Sequence, residues 1–236
     1  MQTVILAGGL ATRLHPVTRT IPKSMVEVAG KPFLEHQLEL LHRHRYCRVV
    51  ICAGHMADSI EAYFGDGSQF GMRIQYSHDG GAAQGTGGAL FRATEYLDEE
   101  FFVLNGDSYL LLPYPRIAEA FRRSGKLGMM VVYRNENRFD RSNVEVGNGL
   151  VRSYEPRNNS SRTLSLIDAG LIAFKKEAIL NPSTNRPYDL GDLLSRLATE
   201  QRLAAFETFQ RFYEIGSHAG LTELRGLLGE HPEGSD

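Results

Sequence analysis

The sequence predicts an α/β fold: a three-layer sandwich with a mostly parallel, Rossmann-like central sheet and a mixed second half. Two observations support this prediction. From the start of the chain to Asn105, short apolar runs alternate with segments of helical period, an order that places parallel strands in one sheet with helices on both faces. From about Leu127 several apolar runs follow one another closely, and this change predicts the mixed second half.

Four strands and three helices are predicted in the first half. The strands are the apolar runs TVILAG, CRVVICAG, MRIQYSHD and EFFVLNGD. The helices are KPFLEHQLELLHRH, which has its apolar residues on one stripe, MADSIEAYFG, which ends at Gly65, and GTGGALFRATEYL. Ligands gather at the carboxyl ends of the strands in such a sheet. The loops of interest therefore follow Leu6, Ala53, His78 and Asn105.

The second half begins with the predicted strands LGMMVVYR, NVEVGNGLVRSYE and LSLIDAGLIAF, and GNG is the turn of a hairpin. Helices return at EAIL and at YDLGDLLSRLATE, which either Asp189 or Asp192 could cap. A last strand, RFYEIGS, precedes a helix from about Ala219 to Leu228. We find no repeat or linker, so one domain is expected over residues 1–229, followed by a tail at 230–236.

Composition excludes some partners. The chain of 236 residues has a formal net charge of −2, and 23% of its residues are charged. This balance gives no general attraction to nucleic acid or to an anionic membrane, so neither is expected as a partner. The two cysteines, Cys47 and Cys52, fit a reducing compartment as free thiols. No signal-peptide pattern and no apolar stretch of membrane-spanning length is evident, so a cytoplasmic enzyme is expected.

The loop after the first strand is long and basic. It lies within VILAGGLATRLHPVTRTIPKSM, which lacks both the G-K-[ST] of a P-loop and the spacing of a dinucleotide fingerprint. The pair Gly8 and Gly9 lets backbone N–H groups approach a phosphate closely, and Thr12 adds a hydroxyl donor. Arg13 and Lys23 add cations suited to phosphate. Each residue alone would be an ordinary turn or solvated charge; together they predict an anion site.

A wider stretch, LAGGLATRLHPVTRTIPKSMVEVAGKPFLEHQLELL, resembles the signature of sugar-1-phosphate nucleotidyltransferases. The resemblance continues, in the order typical of that family, through GTGGAL, FFVLNGDSYL, YEP, IDAGL and FYEIGS. It is greatest to the short bacterial branch of heptose-, mannose- and N-acetylmuramate-1-phosphate nucleotidyltransferases. The resemblance implies the nucleotide-diphospho-sugar transferase type of sheet, and transfer of a nucleotidyl group from an NTP to a sugar 1-phosphate with release of pyrophosphate.

The resemblance also implies a nucleotide-binding half at 1–110. Arg13 would hold the β- and γ-phosphates, and Lys23 would lie at the α-phosphate under attack. Ala11 stands where the family usually has glycine. The residues expected to bind the nucleotide are Leu6, Ala7, Gly8, Gly9, Thr12, Arg13, Gln84 and Gly87.

A catalytic magnesium ion is implied by the same resemblance, because the reaction joins two anions. Asp107 would be the first ligand. Glu214 stands where the family usually has an aspartate, and its contact with the metal, direct or through water, is left open. Together, Arg13, Lys23 and Asp107 would carry the catalysis.

The sugar-binding half is expected at 111–229. Asn105, Glu155 and Asp168 are the residues expected to bind the sugar. Asp168 stands where asparagine is common, and a carboxylate suits a sugar that presents hydroxyls rather than an N-acetyl group.

The expected substrates are GTP and a heptose or mannose 1-phosphate, in the synthesis of a cell-surface polysaccharide precursor, and the chain could form a homodimer. One alternative is a UTP-dependent uridylyltransferase for an amino-sugar 1-phosphate. Another is a homologue that only binds nucleotide sugars. A third is a glycosyltransferase of related architecture, although NGDS lacks the first aspartate of a D-x-D metal motif.

Overall fold

The computed structural model describes residues 1–9, 12–79, 85–157, 163–180 and 188–229. Its strands, in chain order, are β1 (Gln2–Leu6), β2 (Glu27–Val28), β3 (Lys31–Pro32), β4 (Arg48–Ala53), β5 (Arg73–His78), β6 (Glu100–Asn105), β7 (Ser108–Leu110), β8 (Gly128–Arg134), β9 (Val144–Gly147), β10 (Leu150–Tyr154), β11 (Leu166–Lys175), β12 (Leu203–Thr208) and β13 (Phe212–Glu214). Its α-helices are α1 (Phe33–Arg43), α2 (Ala57–Phe64), α3 (Gly85–Arg92), α4 (Tyr114–Ser124), α5 (Leu190–Thr199) and α6 (His218–Gly229).

Within the described residues, the central sheet has nine strands in the order β5-β4-β1-β6-β11-β8-β12-β10-β9. The first four are parallel to one another. Strand β11 runs antiparallel between β6 and β8, β12 is parallel to β8, and β10 runs antiparallel between β12 and β9. This arrangement confirms the predicted α/β fold, with a parallel first half and a mixed second half.

Two apolar cores lie on opposite faces of the sheet, as in a three-layer sandwich. Successive side chains of β1 pack into different cores, because side chains alternate between the two faces of a strand. Ile5 packs into the core under α1, α2 and α4, whereas Val4 packs into the core under α3 and α5. A third apolar cluster, which includes Phe33, Ile215 and Leu224, holds α6 beside β2 and the start of α1.

Several elements differ from the sequence prediction. Helix α4 and strand β12 were not predicted, although Tyr114, Ile117 and Phe121 of α4 are buried at helical spacing. The predicted helix at EAIL is wrong: only a short 3₁₀ turn, Lys176–Ala178, follows β11. Of the two predicted caps, Asp189 occupies the residue before α5, but its side chain makes no capping hydrogen bond in the described structure.

Strand β11 carries an irregularity that shapes the site. Its register with β8 shifts between Asp168 and Ile172. Gly170 lies within the shift with φ +89°, a backbone conformation that side chains rarely adopt. A methyl group at Gly170 would lie 2.8 Å from Ser108 Oγ and 3.3 Å from Asn105 Nδ2. Glycine therefore lets β11 approach the turn between β6 and β7.

No helix in the described part of the chain is long and apolar enough to cross a lipid bilayer.

Candidate active site

A cavity of about 450 Å³ opens at the carboxyl ends of β1, β4, β5 and β6. This is the edge of the sheet where the sequence predicts a ligand site. The cavity is lined by Leu6, Ala7, Gly8, Gly9, Lys23, Ser24, Cys52, Asp79, Gly85, Thr86, Ala89, Asn105, Gly106, Asp107 and Asp189.

An ion pair lies at one side of this cavity. Lys23 Nζ donates a hydrogen bond to Asp107 Oδ2 at 2.6 Å, and the two side chains are 19% and 24% exposed. Lys23 starts a 3₁₀ turn closed by the hydrogen bond from the Val26 N–H to the Lys23 carbonyl, 3.1 Å. Asp107 lies in the turn between β6 and β7. The structure therefore brings together two residues that are 84 positions apart in sequence.

The side chain of Arg13 lies near Asp107. It lies in a 3₁₀ turn, Thr12–Leu14, that the fully buried Leu14 anchors in the protein. A methyl group added at Gly216 would lie 3.4 Å from Arg13 Nη2 and 3.7 Å from Asp107 Oδ2. The guanidinium of Arg13 and the carboxylate of Asp107 thus flank Gly216 at the start of the segment that leads into α6.

Glu214 lies next to Asp107 on a neighbouring strand. Strand β13 pairs with β7 so that Glu214 is opposite Ser108, and the Ile215 N–H donates to the Asp107 carbonyl at 2.9 Å. Burial, and then the negative charge of Asp107, raise the pKa of Glu214 to about 7. Lys23 opposes this shift. A cation placed between the two carboxylates would favour their ionised forms.

Gln37 was missed by sequence reasoning. Its side chain is buried, and Nε2 donates to the carbonyls of Asn105 and Ser108 at 2.9 and 2.8 Å. These bonds tie α1 to the turn that carries Asp107. No motif marks this residue, because its partners are backbone atoms distant in sequence.

Two glycines and a carboxylate lie close together where β1, β4 and β5 end. Gly8 and Gly54 follow β1 and β4, and Asp79 follows β5. A methyl group at Gly8 would lie 2.9 Å from Asp79 Oδ2, and one at Gly54 would be closer still. Burial raises the pKa of Asp79. The sequence marks the loop after His78, but it gives no reason to select Asp79.

The start of α3 is anchored by the segment that precedes α5. The N–H groups of Gly87 and Gly88 both donate to the Tyr188 carbonyl, at 3.0 and 3.2 Å. Thr86 Oγ1 accepts a hydrogen bond from the Leu190 N–H at 2.9 Å. Gly85, Thr86 and Ala89 line the cavity, whereas Gly87 is buried against Tyr188. Helix α3 therefore contributes a wall of the cavity.

Replacement of Gly87 by alanine should destabilise the protein. The added methyl would lie 2.8 Å from the Tyr188 ring and 3.0 Å from its carbonyl oxygen. We expect Gly87→Ala to lower the free energy of unfolding by about 1–2 kcal/mol, measured by urea denaturation. Gly226→Ala in α6 is the control: its methyl meets nothing within 4 Å, so helix propensity should raise stability by up to about 1 kcal/mol. Equal stabilities of Gly87→Ala and wild type would contradict this packing.

A second cavity of about 230 Å³ adjoins the first and shares Leu6, Thr86, Asn105 and Asp189 with it. Asp168 lines it and accepts hydrogen bonds from the Gly170 N–H at 2.9 Å and from the Tyr154 hydroxyl at 3.2 Å. Burial raises the pKa of Asp168 to about 6. The adjoining cavities therefore share a boundary at Asn105 and contain Asp107 on one side and Asp168 on the other.

The remaining predicted site residues lie in different surroundings. Glu155 is half-buried and is not among the described residues that line the second cavity. Its neighbours Tyr154, Pro156 and Arg157 do line that cavity. Arg157 pairs with Asp192 at 3.0 Å. Gln84 and Ala11 fall outside the described residues.

Comparison with known proteins identifies similar chains. A model of the nucleotidyl transferase family matches residues 2–228. A UTP–glucose-1-phosphate uridylyltransferase of Synechocystis sp. is 32% identical over 213 residues, which cover 84% of this chain and 55% of that protein. A mannose-1-phosphate guanylyltransferase catalytic subunit beta of Xenopus tropicalis is 29% identical over 245 residues, which cover 99% of this chain and 67% of that protein. The chain thus spans about half the length of the Synechocystis relative.

Among solved structures, HddC from Yersinia pseudotuberculosis superimposes with a TM-score of 0.82 at 25% identity, covering 96% of this chain and 99% of that one. The same Yersinia protein has also been solved in complex with GMP-PN.

Proposed function

The chain belongs to the nucleotidyl transferase family, and we propose that it transfers a nucleotidyl group from an NTP to a sugar 1-phosphate, giving an NDP-sugar and pyrophosphate. The observation that carries this proposal is that Lys23 and Asp107 line one cavity, that Arg13 lies near Asp107 across Gly216, and that a second, polar cavity adjoins the first. Lys23 in the first cavity and Arg13 beside Asp107 supply cations for phosphates, and the carboxylates of the second cavity would accept hydrogen bonds from sugar hydroxyls.

In the proposed reaction, a phosphate oxygen of the sugar 1-phosphate attacks the α-phosphorus of the NTP in line. A new bond forms between that oxygen and the α-phosphorus, and the bond from the α-phosphorus to the bridging oxygen of the β-phosphate breaks. Pyrophosphate leaves with the bridging oxygen. Lys23 would neutralise the charge that develops at the α-phosphate, and Arg13 would hold the leaving phosphates. Leu6, Ala7, Gly8 and Gly9 would hold the nucleoside, and Thr12 would add a hydroxyl donor to the phosphate site.

The two carboxylates fit a magnesium ion. Asp107 and Glu214 offer hard oxygen ligands close enough for the charge of one to raise the pKa of the other. The described residues contain no cluster of three or more metal-ligating side chains, and magnesium in phosphoryl-transfer sites is commonly held by one or two carboxylates with substrate phosphates. When bound, the ion would offset the negative charge of the two substrates.

We propose GTP and a heptose or mannose 1-phosphate as the substrates. The Xenopus relative is named for mannose 1-phosphate and a guanylyl group, and the Yersinia relative was solved with GMP-PN. The Synechocystis relative, named for UTP, favours a second candidate: a UTP-dependent uridylyltransferase.

A panel assay tests the proposed activity. The four ribonucleoside triphosphates are combined with glucose, mannose, heptose, N-acetylglucosamine and N-acetylmuramate 1-phosphates in the presence of Mg²⁺, and pyrophosphate release is measured. Release with GTP and mannose or heptose 1-phosphate, dependent on both substrates, is the expected result. Release that is independent of the sugar phosphate, or absent from every pair, would contradict the proposal.

Changes in the second cavity should act on the sugar substrate. Asp168→Asn replaces one acceptor oxygen with a donor, and we expect it to raise KM for the sugar phosphate by about tenfold while changing KM for the NTP less than twofold. Glu155→Gln should act in the same direction, with a smaller effect because Glu155 is not among the described lining residues.

Exposed Glu177, in the 3₁₀ turn beyond the far end of β11, gives a matched control, and Glu177→Gln should change neither KM. Initial rates measured with each substrate varied in turn give both values. Equal increases in the two KM values for Asp168→Asn would show that the sugar does not bind in this cavity.

A further inference from the structure

The carboxylate of Asp79 lines the cavity beside the glycines that follow β1 and β4. Asp79 follows β5 and Asp107 follows β6, and strands β4 and β1 lie between them. The backbones of β5 and β6 are three strand spacings apart, and the Asp79 side chain extends toward β1, so that Oδ2 lies beside Gly8. Because Gly8 is one of the glycines to which we assign the nucleoside, the Asp79 carboxylate lies in the part of the cavity that would hold the nucleoside.

Two glycines make room for this carboxylate. Asp79 Oδ2 would contact a methyl group added at either Gly8 or Gly54, so both positions must lack a side chain for Asp79 to lie where it does. The Asp79 N–H donates to the Ala53 carbonyl at 3.2 Å, which fixes its backbone to the end of β4. Within the part of the chain that the structure describes, no group donates a hydrogen bond to the carboxylate, although it lines the cavity.

We propose that Asp79 selects the base of the nucleotide by accepting hydrogen bonds from N1–H and the 2-amino group of guanine. This inference rests on the proposed function. Guanine is the base that presents two adjacent N–H donors, which match the two oxygens of one carboxylate. Uracil presents one N–H between two carbonyl oxygens, and a carboxylate would repel those oxygens. Adenine and cytosine each present an amino group beside a ring nitrogen acceptor.

The carboxamide of asparagine has the opposite preference. It offers one acceptor and one donor, which match the N3–H and a carbonyl oxygen of uracil. With the most active sugar 1-phosphate, we expect Asp79→Asn to lower kcat/KM for GTP by about 10- to 100-fold and to raise kcat/KM for UTP. Inosine triphosphate, which lacks the 2-amino group, should be a poorer substrate than GTP for the wild type and should lose this disadvantage in Asp79→Asn.

Asp58→Asn is the matched control, because Asp58 is exposed in the first turn of α2 and does not line either cavity in the described structure. It should leave all three kcat/KM values unchanged. The inosine comparison on the wild type needs no variant, so the inference remains testable even if Asp79→Asn folds poorly.

A wild-type enzyme that prefers UTP to GTP overturns both the inference and the proposed GTP substrate, but not nucleotidyl transfer itself. Two outcomes overturn the inference alone. A wild-type enzyme that uses inosine triphosphate and GTP equally well has no guanine selection at Asp79. A uniform loss for GTP, UTP and inosine triphosphate in Asp79→Asn would place the carboxylate at the ribose or in a structural role. Failure of every nucleotide to support pyrophosphate release overturns the proposed function itself, and this inference with it.

Discussion

Lys23→Ala should lower kcat/KM by about 10²- to 10³-fold with every active substrate pair and leave the fold intact. The ammonium of Lys23 is 2.6 Å from Asp107 Oδ2 and lines the cavity in which we place the α-phosphate. Negative charge concentrates there in the transition state, and loss of one preorganised donor from such a site costs on the order of 3 kcal/mol. Arg13→Ala should cause a loss of the same order because it removes the cation at the leaving phosphates.

Lys126→Ala is the control for both variants. Lys126 precedes β8, at the edge of the sheet opposite the cavity, so its loss should leave kcat/KM unchanged. Circular dichroism and thermal melting verify that Lys23→Ala and Arg13→Ala are folded. Near-normal kcat/KM in either variant would show that the loop between β1 and α1 does not bind the reacting phosphates.

Asp107→Asn should be at least as damaging, and added Mg²⁺ should restore its activity poorly. The change removes a formal charge from a site suited to a hard cation, whose preferred ligands are charged oxygens. It also leaves Lys23 without its carboxylate partner. We expect a loss of about 10²-fold or more in kcat, measured across a titration of Mg²⁺. If Asp107→Asn is as active as the wild type at saturating Mg²⁺, Asp107 does not bind the metal.

Variants of Glu214 measure how this residue serves the metal. If it is a direct ligand, Glu214→Gln should lower activity about as much as Asp107→Asn. If its longer side chain acts through water, Glu214→Asp should retain activity. We expect Glu214→Gln to weaken the apparent affinity for Mg²⁺, because the buried carboxylate lies beside Asp107. An unchanged Mg²⁺ dependence would exclude Glu214 from the site.

The raised pKa of Glu214 gives a second measurement that needs no turnover. A carboxyl group whose folded-state pKa is about 7, above its ordinary value, costs stability progressively as pH rises through 7, because the folded protein must then bury a charge. Without metal, Glu214→Gln should therefore melt at a higher temperature than wild type at pH 8, and this advantage should shrink at pH 5. Added Mg²⁺ should reduce the difference at pH 8.

Much of the first half of the fold was predictable from the sequence because burial imposes a clear period. Helix α1 buries Leu34, Leu38 and Leu41 at helical spacing, and β1, β4 and β6 are nearly continuous apolar runs. Strand β12 was not predicted because its two alanines and its glutamate give a weak strand signal. Its pairing with β8 determines its conformation.

The structure brings together those predicted site residues whose positions depend on strand ends and residue type, and their roles stay predictions. Lys23 and Asp107 were selected from their motifs, and the fold places them 2.6 Å apart. Gln37 could not be selected, because its hydrogen-bond partners are backbone atoms brought close by tertiary packing. Asp79 could not be selected, because the position of its carboxylate depends on glycines from two other strand ends. In the sequence, Gly54 looks like an ordinary loop residue. In the structure, its lack of a side chain leaves the space that Asp79 Oδ2 occupies.

The central claim, attack by the sugar phosphate on the α-phosphorus of the NTP, is tested most directly by isotope tracing. The most active sugar 1-phosphate is prepared with ¹⁸O in its non-bridging phosphate oxygens, and the products are followed by ³¹P nuclear magnetic resonance. We expect one ¹⁸O in the bridge of the NDP-sugar, which shifts both phosphorus resonances, and unlabelled pyrophosphate. An α-phosphorus without ¹⁸O, or label in the pyrophosphate, would contradict it.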